Sequence, residues 1–237
     1  MMIRFGLVLA ALLIVCPNLG HSHCHNNGSG PEDPMIVRGN KVWPPEKKNS
    51  DGVYEIVVWV NNIYRPRPAG NPSLSPDCGD AGEIWSEIEF QGSEIKFKYN
   101  MNESHQFYAN VKDNRNVMAY SCMGRHNPTI AFTYHVNVDG NRINELDVGF
   151  NYYKDFKKHG QSGLYYCIKE IAAHELGHVA GLEDVYYDPD LPVSRTNSPD
   201  YAHYSMNGHF PSKNTHWRES LNCEDKYALD QKYSYGP

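Results

Sequence analysis

The sequence lacks any surplus of positive charge: 22 lysines and arginines face 28 acidic residues, for a formal net charge of −6. Without a basic patch to neutralise phosphates, nucleic acid is set aside as a partner. Nor are the charges gathered into blocks, which argues against an acidic tail or a long disordered segment. There is no internal repeat and no low-complexity tract, and beyond the N-terminus no apolar run is long enough to cross a membrane. Cysteine is scarce, with six in 237 residues. Cys16 falls in the N-terminal apolar region, leaving Cys24, Cys78, Cys122, Cys167 and Cys223. That odd set predicts two bridges and one leftover thiol in an oxidising compartment, with Cys24 as the candidate for the leftover.

What is present begins with a secretory signal over residues 1–22. Arg4 gives the positive start, Phe5 to Val15 the short apolar run, and Gly20-His21-Ser22 a small-x-small cleavage pattern. The mature product is therefore expected to be extracellular, clear of the membrane and monomeric. Residues 23–50 are rich in Gly, Pro, Asn and Lys and read as a short propeptide or an N-terminal arm. The folded domain is expected over 51–237.

Within that domain, Tyr54 to Val60 is β-branched and aromatic and predicts a well-buried strand. The prolines from Pro66 to Pro76 read as a break, and a short helix carrying Trp85 is expected over 81–88. Glu94 to Tyr99 alternates as a half-solvated strand, and Val117 to Tyr120 is a further short one. Strands at Thr129–Val136 and Leu146–Asn151 flank a turn at Val138-Asp139-Gly140-Asn141. A helix then starts from Ser162 as N-cap, with Leu164, Ile168 and Ile171 as its apolar stripe, and a closing helix covers 220–233. Strands mixed with helices in this way give an α+β fold: a twisted mixed sheet with helices packed on it.

The Ser162 helix runs into His174-Glu175-Leu176-Gly177-His178. Residues i and i+4 lie one above the other on a helix, so both imidazoles share a face. Two neutral imidazoles so placed suit a tetrahedral Zn²⁺ at roughly 2.0–2.1 Å from each nitrogen. With this composition, His-Glu-x-x-His arises by chance in roughly 3 of 100 such chains, so the pattern needs context. Gly181 supplies it, since a helix that ends on a left-handed glycine turns sharply and can bring Asp184 back as a third ligand. Glu175 stands where its carboxylate reaches a metal-bound water without serving as a ligand. His203 is an alternative third ligand and Glu183 a second-choice oxygen, whereas His126, His135, His209 and His216 show no ligand spacing.

His174-Glu175-x-x-His178-x-x-Gly181, with Met206 in a later Ser-Met-Asn-Gly turn, resembles the metzincin clan of zinc endopeptidases, and its matrixin branch most. Ile130-Ala131-Phe132-Thr133-Tyr134 is similar to the edge strand of that fold, and Leu146 to Asn151 to the strand after it. Leu221 to Gly236 resembles the family's final helix and closing Tyr-Gly. Asp184 departs from the usual matrixin His and looks like the third ligand of the snapalysin-type bacterial proteases. No His- and Asp-rich structural-zinc loop precedes residue 130, so structural zinc and calcium sites are not carried over.

The resemblance implies a metzincin-like fold with an active-site helix, a Met-turn at Met206 and a C-terminal helix. It implies peptide hydrolysis by a Zn²⁺-activated water, with Glu175 as general base and His174, His178 and Asp184 as ligands. An extended peptide or protein substrate would pair with Ile130, Ala131, Phe132, Thr133 and Tyr134. Tyr186 and Tyr187 are candidates to lend a phenol to the oxyanion. The competing class is a secreted zinc-binding module without turnover; Glu175 discriminates, because zinc affinity alone gives no reason for it. Bridges Cys167–Cys223 and Cys78–Cys122 are expected, the first joining the active-site helix to the closing helix, the second two segments of the sheet half.

Overall fold

Alternation in the sequence becomes the sheet. The computed structural model describes residues 40–61, 72–86, 96–157 and 166–184, with 225, 228, 229, 232 and 233, all within the compact unit Pro31–Pro237. Strand β1 (Val53–Asn61) buries Tyr54, Ile56, Val58 and Val60 on one face, as its β-branched and aromatic pattern dictates. β2 (Lys96–Ser104) turns Phe97 and Tyr99 inward and Lys96 and Lys98 outward, and it extends the expected strand in the C-terminal direction. β3 (Asn116–Ser121), β4 (Ala131–Asp139) and β5 (Arg142–Asn151) complete a five-stranded mixed sheet in the order β2-β1-β3-β5-β4. Only β4 is antiparallel to its neighbour, and it forms one edge. The β4–β5 hairpin closes at the expected turn, where Gly140 takes φ +57 between the paired Asp139 and Arg142.

Among the described residues, helices α1 (Ser75–Ser86) and α2 (Ile168–Val179) cover one face. α1 packs on β2 and on α2, and α2 reaches β4 and β5. Between them lie Trp85, Leu74, Ile171, Leu176, Leu146, Val148 and Phe150, all at 1 % exposure or less. The sequence reading needs two corrections here. Helix α1 begins at Ser75, before the expected 81, because Pro76 sits in its first turn, where a missing N–H costs nothing. Helix α2 starts after Cys167, its N-cap, and not from Ser162, which lies outside the described residues. Tyr166 and Cys167 are extended instead: as β7 (Tyr166–Cys167) they pair with β6 (Phe156–Lys157).

The expected Cys78–Cys122 bridge does not form. Cys78 is a free, buried thiol on α1, while Cys122 is free and exposed after β3, its sulfur 3.7 Å from the Tyr153 hydroxyl. Burial beside Asp77 pushes the Cys78 thiol far up, so it behaves as a small apolar group. For the other bridge, Cys167 stands half-buried at the start of α2, and Cys223 lies outside the described residues.

Residues 42–48, from the stretch read as propeptide or arm, pack on the domain. Val42 bridges to Arg142, Glu46 pairs with Arg142, and Trp43 is a core residue at 1 % exposure. At the other end, Asp225, Ala228, Leu229 and Lys232 are helical and buried, at the spacing of one helix face. On the opposite face of the sheet, Asp147 accepts backbone N–H bonds from Asn110, Val111 and Val117, and Glu145 accepts those of Asp113 and Asn114. Burial beside Glu145 pushes the Asp147 carboxyl up to about 7 against those donors. Among the described residues no helix is long and apolar enough to cross a membrane.

Candidate metal centre

The C-terminal end of α2 builds the site, and its backbone is fully accounted for. After Val179 the chain makes a Schellman turn: Gly181, at φ +89, donates to His178 O at 2.8 Å, and Leu182 to Gly177 O at 3.0 Å. Ala180 N–H donates to Leu176 O at 2.9 Å. The last two carbonyls go to aromatic donors from distant parts of the chain. Trp43 Nε1–H donates to Val179 O at 2.7 Å, and the Tyr233 hydroxyl to Ala180 O at 2.9 Å. Two more aromatics, Trp85 and Tyr99, donate to Ala173 O and Leu176 O. Carbonyls that a helix terminus would leave orphaned in the core all have donors.

Only glycine fits at 181. A Cβ there would stand 2.4 Å from Lys41 O and 2.9 Å from Lys232 Cε, besides requiring a left-handed backbone. The turn it makes carries Asp184 back over the helix face. Asp184 Oδ1 lies 3.0 Å from His174 Nε2 and 3.4 Å from His178 Nε2. The two imidazoles meet edge to face with centroids 4.7 Å apart.

These three side chains each offer a ligand atom, all within 4.8 Å of one another, and so form a group that can hold a metal ion. Size agrees: bonds of 2.0–2.1 Å in a tetrahedron set neighbouring ligand atoms about 3.3 Å apart. His178 Nδ1 lies 2.9 Å from Leu182 O; with the proton on Nδ1, this contact leaves the Nε2 lone pair facing Asp184.

Charge is arranged to match. Burial raises the Asp184 carboxyl, but hydrogen bonds and charge from His174 and His178 outweigh it and hold the group well below the usual carboxylate range. Burial likewise opposes protonation of His178, yet the Asp184 hydrogen bond, the charges of Glu175 and Asp184 and the Leu182 carbonyl bring it up to about 9. A metal needs the neutral imidazole, so below pH 9 it must displace a proton from His178. Metal affinity is therefore expected to rise with pH up to about 9 and to fall by up to about tenfold per unit below it. Calorimetric titration in buffers of different ionisation heat checks this; no proton release at pH 7 would contradict it.

Glu175 is next to the ligands and is not one of the converging three. It is 3 % exposed, and its Oε2 accepts the Thr133 hydroxyl at 2.7 Å. A cleft of about 630 Å³ opens over the site, lined by His174, Glu175, His178, Asp184 and the edge-strand residues Ile130, Ala131, Phe132 and Thr133. Tyr134 is not in its lining; that hydroxyl is 3.3 Å from Ser121 Oγ. Met206, Tyr186, Tyr187, His203, His209 and His216 lie outside the described residues. His126 is exposed and does not line the cleft.

Lys41 has no place in the sequence reading; it joins His135, which shows no ligand spacing, and Glu183, the second-choice oxygen, in the cleft lining. Lys41 arrives from the arm, His135 from β4, and exposed Glu183 from the turn itself. Burial and the nearby Lys41 and His178 lower the affinity of His135 for a proton, with Glu183 opposing. No local signal marks Lys41 or His135, because the contacts that place them are long-range. The sequence marks Thr133 as one of the peptide-pairing residues and carries no signal for its bond to Glu175. Comparison with protein-family models finds no match, and no curated protein matches the chain.

Proposed function

We propose that the protein is a secreted zinc-dependent endopeptidase of metzincin type, nearest the matrixin branch, with Asp184 as third ligand. The observation that carries this reading is the convergence of His174, His178 and Asp184 on one point, with a non-ligand carboxylate, Glu175, beside them at a cleft bordered by an edge strand.

His174 Nε2, His178 Nε2 and an Asp184 oxygen would hold Zn²⁺, the donor set of two imidazoles and one carboxylate common to catalytic zinc. Bound there, zinc supplies Lewis acidity and lowers the pKa of a water. Glu175 takes a proton from the attacking water on its Oε1 and returns it to the leaving amine. An extended peptide lies along the outer side of β4, its backbone pairing with the edge strand at Ile130 to Tyr134. A peptide so bound brings its scissile carbonyl over the α2 face that carries both histidines.

Purified chain is expected to contain stoichiometric zinc and to digest casein or gelatin. Chelation should abolish digestion and zinc should restore it. Zinc without digestion would favour the binding module over the enzyme; absence of both would end the proposal.

A further inference from the structure

We infer that Thr133 is a positioning residue for Glu175, an inference that rests on the hydrolytic reading of that carboxylate. Thr133 is 4 % exposed on β4, between Phe132 at 52 % and half-buried Tyr134, so the pleat aims it alone of the three at α2. A buried hydroxyl costs stability unless it is partnered, and valine would fill the same space without that cost. The acceptors at Thr133 Oγ1 are both on Glu175: the carboxylate Oε2 at 2.7 Å and, more weakly, the backbone carbonyl at 3.4 Å. The proton goes to the carboxylate, at the distance of a charge-assisted O–H···O bond.

A glutamate has three side-chain torsions, and α2 alone does not fix them. Thr133 engages Oε2 of a carboxylate whose residue lines the cleft, so the carboxylate is held before a substrate arrives. The holding group belongs to the strand along which that substrate would lie. Strand placement and base orientation are thus coupled through one hydroxyl, and a base already in its reactive orientation gives up no torsional freedom at the reaction.

The test uses the full zinc-loaded chain on a peptide substrate. Thr133→Val is expected to lower kcat about 10- to 100-fold, the cost of a small misplacement, with KM moved less than about twofold. Zinc content should be unchanged and Thr133→Ser should recover most of the rate. Crystals of zinc-loaded Thr133→Val should show the Glu175 carboxylate turned from its wild-type position. Unchanged kcat, a loss carried by KM, or a Thr133→Ser variant as slow as Thr133→Val would overturn the inference. Should Thr133→Val not accumulate folded, Thr133→Ala carries the same expectations. If the wild-type chain holds zinc but hydrolyses nothing, the hydrolytic reading fails by itself; the Glu175 rotamer in the two crystals still decides whether Thr133 positions it.

Discussion

Glu175→Gln is expected to keep its metal and lose hydrolysis, a fall of about 10²–10⁴ in kcat, the usual contribution of a general base. Glutamine has the same shape, and its carbonyl oxygen can still accept from Thr133, so packing at this buried position is retained. What disappears is basicity: an amide does not take a proton from water at neutral pH. Zinc affinity should be nearly unchanged, because the ligand atoms come from His174, His178 and Asp184. Metal analysis beside a peptide-cleavage assay separates the two effects. Lost zinc would make Glu175 a ligand or a structural residue, and full activity would remove it from the mechanism.

Asp184→Ala should have an effect of comparable size on binding. A single oxygen, Asp184 Oδ1, faces both ring nitrogens at 3.0 and 3.4 Å, and alanine takes away both the ligand and the negative charge. The expected loss of affinity exceeds the 10–100-fold typical of losing an outer-shell partner. Asp184→His should restore binding, since the imidazole matches the usual matrixin set, and His203→Ala should leave affinity unchanged. Competition titration against a chelator of known affinity measures all three. If His203→Ala strips the metal while Asp184→Ala spares it, the third ligand comes from the later chain and the Gly181 turn has been misread.

Legibility in the sequence followed the range of the interaction. β1, the Gly140 hairpin and the left-handed Gly181 at the end of α2 are local matters of periodicity and backbone sterics, and all three could be read directly. The spacing of His174 and His178 was legible for the same reason, as was Asp184 once the turn was recognised. Pro76 misled because proline punctuates loops and helix starts alike, and only packing tells them apart. Trp43 reaches Val179 across 136 residues and Thr133 reaches Glu175 across 42, distances over which no pattern in the chain carries information. Cys78 misled differently, because a cysteine destined for a core and one destined for a bridge look the same in a sequence.

The donors that complete the end of α2 also bear on how far the chain can be trimmed. Val179 O depends on Trp43, Ala180 O depends on Tyr233, and Lys41 borders the glycine that aims Asp184. A processing cut that spares Lys41 leaves this arrangement intact. A cut after Trp43 exposes the core and leaves a buried carbonyl without its donor, at a cost of about 1–3 kcal/mol for that group alone. Any trimming of the chain therefore meets a boundary at the turn that carries Asp184: Trp43 and Tyr233 are both tied within a few residues of it, so ragged ends would register first as weaker metal binding.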